Sequence, residues 1–105
     1  MLVVSVLGPG QSLAVSGEVG VHTVADLRTA LHAAVDAGSG DLLLDCDAAT
    51  FVDATGLGAL LSAHRRAQRA GRRLVLTRVG PPLARLLFVS RLSRVIAVED
   101  APAAA

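Results

Sequence analysis

One short stretch, TFVDATGLGALL over residues 50–61, sets a carboxylate at Asp53, a hydroxyl at Thr55 and a small residue at Gly56 between an apolar run and a leucine-rich one. A carboxylate at a strand-to-helix junction has a structural use, because it can accept a bond from an amide of the first helical turn. That use accounts for Asp53. Thr55 needs more, since a β-branched hydroxyl in a first turn is neither a strong helix former nor a required cap beside an aspartate. A phosphoryl group on it would bring about 1.5–2 negative charges to the amide-rich end of the helix, where the helix tolerates them. A partner pressed against the same loop would not, least of all an acidic one, and Asp53 adds to the repulsion. The stretch can therefore act as a reversible binding switch that needs no refolding.

Other chemistries find little support. All ten basic residues are arginine, so a phosphate-loop lysine and a Schiff-base lysine are excluded. DLLLD (41–45) looks like a strand delivering a phosphoaccepting aspartate, but a receiver domain also needs an acid pair after its first strand and a late lysine. Cys46 is the single cysteine; it can form no internal disulfide and reads as filler near a strand end. The three histidines are scattered. His22 flanks a helix start, His32 is expected to face outward, and His64 falls on the apolar side of a helix, where a satisfied core histidine is commoner than a base or ligand. No grouping has metal-site spacing, no serine sits on a G-x-S-x-G elbow, and GPGQS (8–12) is explained by a hairpin turn. No catalytic residue, no metal and no cofactor is expected, and the chain is not read as an enzyme.

With 105 residues, 52% hydrophobic and 2% aromatic, the chain is expected to form one domain over 1–100 with a flexible tail over 101–105. Its core must be Leu, Val and Ala, with Phe51 and Phe88 the only rings. Residues 1–53 hold seven acids and one base, whereas 54–105 hold nine arginines and two acids. Such polarity suits a partner-binding face or an oligomer contact and leaves a homodimer open. Without interleaved aromatics or a basic tail it does not suit direct nucleic-acid binding. No apolar run approaches the roughly 20 residues of a membrane span, and no signal-type segment opens the sequence, so a soluble cytoplasmic protein without membrane insertion is expected.

Period and punctuation give the elements. LVVSV (2–6) and SLAVSG (12–17) read as an antiparallel strand pair. Thr23 with Asp26 imitates a capping box opening a helix that carries Val24, Leu27, Leu31, Ala34 and Val35 and closes at Gly38. DLLLD reads as a strand covered on both faces. A second helix spans 55–70, with Leu57, Leu60, Leu61 and His64 on one side and Arg65, Arg66, Arg69, Arg72 and Arg73 largely opposite, a solvated face. Gly71 ends it, 73–79 alternates as a strand, Pro81 and Pro82 start a short helix bearing Leu83, Leu86, Leu87 and Phe88, and RVIAV (94–98) is the last strand. The order β-β-α-β-α-β-α-β implies an α/β fold with a mixed, mostly parallel sheet of four to five strands.

The run LLLDCDAATFVDATGLGALLSAHRRAQRAGRRLVL resembles the signature of STAS domains, specifically the bacterial anti-sigma factor antagonists: an apolar strand, F-x-D-S-[ST]-G-L, a helix, a glycine and another strand. Phe51, Asp53, Thr55, Gly56, Leu57 and Gly71 carry the match, which follows the element order of nearly the whole chain. The resemblance implies that Thr55 is phosphorylated by a GHKL-type kinase that is also an anti-sigma factor. It implies that the unmodified domain binds that kinase and frees a sigma factor, that phosphorylation releases the domain and that a phosphatase resets it. Partner-binding residues would be Glu18, Asp53, Ala54, Thr55, Gly56 and Leu57. ATP and magnesium would belong to the kinase. The chain departs from the family pattern at Gly20, where an acid near the kinase interface is usual, at Ala54, and at Ser90–Arg91, where a glycine-containing turn is common. Other STAS domains are cytoplasmic subunits of lipid-trafficking ABC transporters, and in that reading the same loop docks on the ATPase.

Overall fold

In a computed structural model that describes residues 1–99, the elements follow the expected order: strands β1 (Val3–Gly8) and β2 (Ser12–Val19), helix α1 (Val24–Asp36), β3 (Asp41–Phe51), α2 (Thr55–Arg69), β4 (Arg73–Thr77), α3 (Pro81–Val89), a 3-10 turn at Leu92–Arg94 and β5 (Ala97–Glu99). The expected tail over 101–105 lies outside the described residues. The five strands lie side by side in chain order, β1 antiparallel to β2 and the rest parallel. Right-handed crossovers between consecutive neighbours put every helix on the same face. Leu27 and Leu31 of α1, Leu60 and Ala63 of α2, and Leu83 and Leu87 of α3 accordingly join one core with Leu13, Val15, Leu42, Leu44, Leu74 and Leu76 of the sheet.

That arrangement corrects the expectation that DLLLD is covered on both faces. Leu42 and Leu44 are fully buried, but Leu43 between them is 36% exposed, because no described helix covers the second face. β3 is also longer than 41–45. It runs on to Phe51, since Ser16 to Val19 of β2 continue to pair with Ala48 to Phe51 after a bulge. β4 stops at Thr77, two residues early, because Arg78 turns the chain with φ 52°. β5 begins late, after the 3-10 turn takes up residues 92–94.

The helix ends also depart from the sequence signals. Thr23 makes no capping box: its hydroxyl donates to the Glu18 carbonyl at 2.9 Å and accepts the Gly20 amide at 3.0 Å, binding the chain upstream of α1 instead of its first turn. α1 ends before Gly38, at a cap residue Ala37. Gly38 serves a close approach, because a Cβ there would strike the carbonyl of Gly10 in the β1–β2 turn. Phe88 is no core ring: it is 76% exposed, and Val89 beside it 73%, because nine residues of α3 bury only Leu83 and Leu87.

The arginine stripe is only partly a solvated face. Arg66 pairs with Asp36 and Arg73 with Asp41, each with a shortest contact of 2.7 Å. Arg72 is 6% exposed and lies inside the structure. Its guanidinium donates to the carbonyls of Ala34 and Val35 at the end of α1 and of Gly40 beyond it, each at 2.9 Å, and to Gly10. Five fork-shaped donors suit several carbonyls converging from different segments, which lysine could not serve. His32 is half-buried at the seam between α1 and α2, its Nε2 lying 2.9 Å from Ser62 Oγ of α2. His64 is buried as expected but not satisfied, for its Nδ1 has no hydrogen-bond partner among the described residues. Cys46 is filler within β3, its thiol pushed up to about 12 by burial and then by Asp45.

Candidate functional site: the loop from the third strand to the second helix

The site begins where β2 and β3 end together. Val19 pairs with Phe51, and the Val52 amide still donates to the Val19 carbonyl at 3.1 Å before the chains part. This last rung holds the segment 20–22 beside residues 52–55. A Cβ on Gly20 would come 2.7 Å from Val52 Cγ2 and 3.3 Å from Asp53 Oδ2. Gly20 is thus the residue that lets the two loops close up. Where the resembled pattern carries an acid, the space is already taken by Val52 and, behind it, Asp53.

Asp53 Oδ1 accepts the amide of Thr55, the first residue of α2, at 2.8 Å. The expected capping bond is therefore present, made from one residue before the cap position, which Ala54 fills without a side-chain bond. The Thr55 hydroxyl and then its amide hold the Asp53 carboxyl below its ordinary range; burial opposes them, and the Val21 amide adds least. Asp53 is thus a fixed anion at neutral pH, beside a threonine that is exposed. Gly56 comes next because nothing larger fits: a Cβ would lie 2.7 Å from both Val19 Cγ1 and Phe51 Cδ2. Pinning at Gly56 and burial of Leu57 in the core anchor the first turn, so Thr55 projects from a rigid base.

Of the residues singled out in the sequence, Asp53, Ala54 and Thr55 form one accessible corner. Gly56 and Leu57 are buried behind it and position it. Glu18 stands apart on the uncovered sheet face, paired in register with Thr50. The structure brings further neighbours to this corner, of which Val21 and Arg85 were not singled out in the sequence. Phe51, Val52, Asp53, Pro81, Pro82, Arg85 and Leu86 line a groove of about 500 Å³ between this loop and α3. Val21 and Val52 are exposed apolar residues beside it, and Arg85 has no ion pair among the described residues. The signal for this groove was in the topology: the loop after β4 opens at the same end of the parallel sheet as the loop after β3. Among the described residues no group of three or more His, Cys, Asp or Glu could hold a metal ion, and no helix is long and apolar enough to cross a membrane.

Residues 4–98 match the family model described as "Mlab, STAS domain". The chain belongs to the STAS domain family. Among curated STAS relatives, an anti-sigma F factor antagonist from Paenibacillus polymyxa is 28% identical over 86 residues, covering 81% of this chain and 74% of that protein. Among solved structures, the anti-sigma factor antagonist SpoIIAA in its unphosphorylated form matches with a TM-score of 0.77 at 18% identity, over 99% of this chain and 90% of that one. The phosphorylated form of SpoIIAA, a Bacillus cell fate determinant, matches with a TM-score of 0.72 at 18% identity, over 99% of this chain and 94% of that one. These likenesses bear out the expected fold, a five-stranded mixed sheet with three helices in the STAS order.

Proposed function

We propose that this STAS domain is an anti-sigma factor antagonist whose hold on its partner is switched off by phosphorylation of Thr55. The observation that carries this reading is the exposed Thr55 at the start of α2, its amide tied to the Asp53 carboxylate and its backbone anchored by Gly56. A dianion added there meets the positive end of the helix, so the domain stays folded. The same dianion beside Asp53 makes the corner strongly negative, and a partner surface shaped for the neutral hydroxyl loses its fit. The partner is an anti-sigma factor that is also a GHKL-type kinase. It seats on the Asp53–Thr55 corner and the adjoining groove, where Val21, Val52 and the prolines of α3 supply apolar area and Arg85 a free cation. The domain contributes the acceptor hydroxyl and no catalytic group, and a separate phosphatase resets it in the cytoplasm. The curated relative and SpoIIAA, whose structure exists in unphosphorylated and phosphorylated forms, support this choice.

A second reading rests on the same corner, which as part of a transporter accessory subunit would clamp onto the transporter's ATPase. One experiment separates them. The domain and its Thr55→Ala variant are incubated with a candidate kinase and magnesium ATP, and intact mass is measured. A single phosphate on the parent and none on the variant is expected. Phosphate persisting in the variant overturns the site, and a parent that stays unmodified while binding a transporter ATPase overturns the function.

A further inference from the structure

Two contacts fix how α1 and α2 lie against each other. His32 meets Ser62 at 2.9 Å and Asp36 meets Arg66 at 2.7 Å, and the partners in each pair are 30 residues apart. The helices therefore run parallel, with each residue of α1 level with the one 30 later in α2. Ser62 and Arg66 follow Thr55 by two and three helical turns, and His32 and Asp36 follow Ala25 in the same way, so each set shares one helix face. Thr55 thus begins the face of α2 that meets α1, level with Ala25. This end of the seam is held as well, by the Val52 amide on the Val19 carbonyl and by the close approach of Gly20 to Val52.

Arg28 lies on the same face of α1, about 4.5 Å further along the axis than Ala25. Helical side chains lean back toward the N-terminus, which carries the Arg28 guanidinium to the level of Thr55. Burial, Arg66 and then Arg28 lower the pKa of His32, in keeping with a guanidinium held over the seam. Arg28 is exposed and has no ion pair among the described residues, whereas Arg66 across the seam is paired with Asp36. The acids at this end are Asp26 and Asp53, and His22 is the other base. Asp53 already holds the Thr55 amide. The space beside Thr55 is open: Ala25 is small and exposed, and a Cβ on Gly58 would meet nothing within 4 Å.

We propose that Arg28 is the internal clamp for a phosphoryl group on Thr55, its guanidinium fork binding two phosphate oxygens across the α1–α2 seam. The proposal rests on the reading that Thr55 is the phosphorylated residue. Arginine suits the task, because its planar fork matches phosphate with two parallel bonds and keeps its charge at every working pH. The clamp holds the group against the domain instead of letting it swing in solvent. It also lowers the second pKa of the phosphate from its ordinary value of about 6, so the group is a full dianion at neutral pH. In the unmodified domain the guanidinium waits without a partner, as the structure shows it.

Phosphothreonine encoded directly at position 55 of the full chain tests the clamp without any kinase. Phosphorus NMR against pH, at low salt where surface charges are least screened, reads the second pKa of the phosphate. Arg28→Gln is expected to raise it by at least about 0.5, roughly a threefold gain in proton affinity. Arg65→Gln removes an exposed arginine that lies off the seam, and should leave it in place. Both variants replace exposed side chains, and melting curves check that they fold. An unchanged value in Arg28→Gln overturns the clamp, as does an equal rise in Arg65→Gln, which would make net charge the cause. Whether a kinase modifies Thr55 is decided separately by the intact-mass measurement on the kinase incubation, so the two readings can fail independently.

Discussion

Arg72 donates a hydrogen bond to the carbonyl of Gly10, 62 residues earlier in the chain, and so ties the β1–β2 turn to the end of α2. The same side chain closes the last turn of α1 through Ala34 and Val35. Helix carbonyls at a C-terminus are both unpaired and negative, so a cation among them satisfies bonds and dipole together. Arg72→Met would take the guanidinium donors from the buried carbonyls of Val35 and Gly10, while Ala34 keeps the Ala37 amide, and should lower unfolding free energy by about 2–4 kcal/mol. Arg72→Lys should recover only part of this, because one ammonium cannot reach segments on several sides. Urea denaturation of both variants measures it. A loss for Arg72→Met as small as that of a surface arginine would show that the fork is not needed.

Two glycines of α2 separate packing from helix propensity. Gly56→Ala pushes a methyl to within 2.7 Å of Val19 and Phe51, and overpacking of this kind should cost about 1–3 kcal/mol. Gly58→Ala meets nothing within 4 Å and should stabilise by about 0.5–1 kcal/mol through helix propensity alone. Melting temperatures shifting in opposite directions are the expected result. Equal shifts would mean that Gly56 has slack which the contacts deny.

The order of elements followed from hydrophobic period and from Gly and Pro, because those signals are local. What the sequence concealed was contact between distant segments. Arg72 shared a helical stripe with Arg65, Arg66 and Arg69, and its burial depends on Gly10 and Gly40, which no local pattern links to it. Phe88 looked like core because it is apolar, yet α3 is too short to bury both of its sides. Thr23 carried a capping signal that was overruled when the Glu18 carbonyl and Gly20 amide reached it first. The Asp53–Thr55 corner was readable in outline, as both ends of its hydrogen bond lie within three residues. The groove beside it needed α3, which enters the site only through sheet order.

His32 should give the fold a pH dependence below neutrality. Burial, Arg66 and Arg28 lower its pKa from the ordinary value of 6.5, with only Asp36 opposing. The unfolded chain therefore takes up the proton more readily than the folded one, and stability falls as pH drops through about 6.5 towards the lowered folded value. Above about pH 7 the group is neutral in both states and contributes no slope. His32→Gln keeps a partner for Ser62 and removes the proton, so its urea midpoint should change less between pH 7.5 and 5.5 than the parent's. A variant with the parent's full slope would place the titration elsewhere.

Restoring the acid of the family pattern should do harm. Gly20→Asp sets a Cβ against Val52 and a second carboxylate next to Asp53, so it should destabilise by about 1–3 kcal/mol from crowding, with like-charge repulsion added. Asp53→Asn in the same chain should recover the repulsive part, since asparagine also caps a helix start well. A thermal-melt cycle over the two single variants and the double resolves the coupling. Simple additivity would mean that the two side chains point apart.

Thr55→Glu separates folding from recognition at the proposed switch. The residue is exposed, and its amide is held by Asp53 whatever the side chain. A negative charge in the first turn interacts favourably with the helix dipole, while the neighbouring Asp53 opposes it, and the two effects should leave the melting temperature within about 3 °C of the parent. Binding to the proposed anti-sigma partner should weaken at least about tenfold, because the added carboxylate would land in the proposed contact and not in the core. Thr55→Val, which removes the hydroxyl without adding charge, should bind nearly as well as the parent while accepting no phosphate. Calorimetric titration of both variants against the partner distinguishes charge from shape: if valine binds as poorly as glutamate, the hydroxyl is a contact and charge is not what releases the partner.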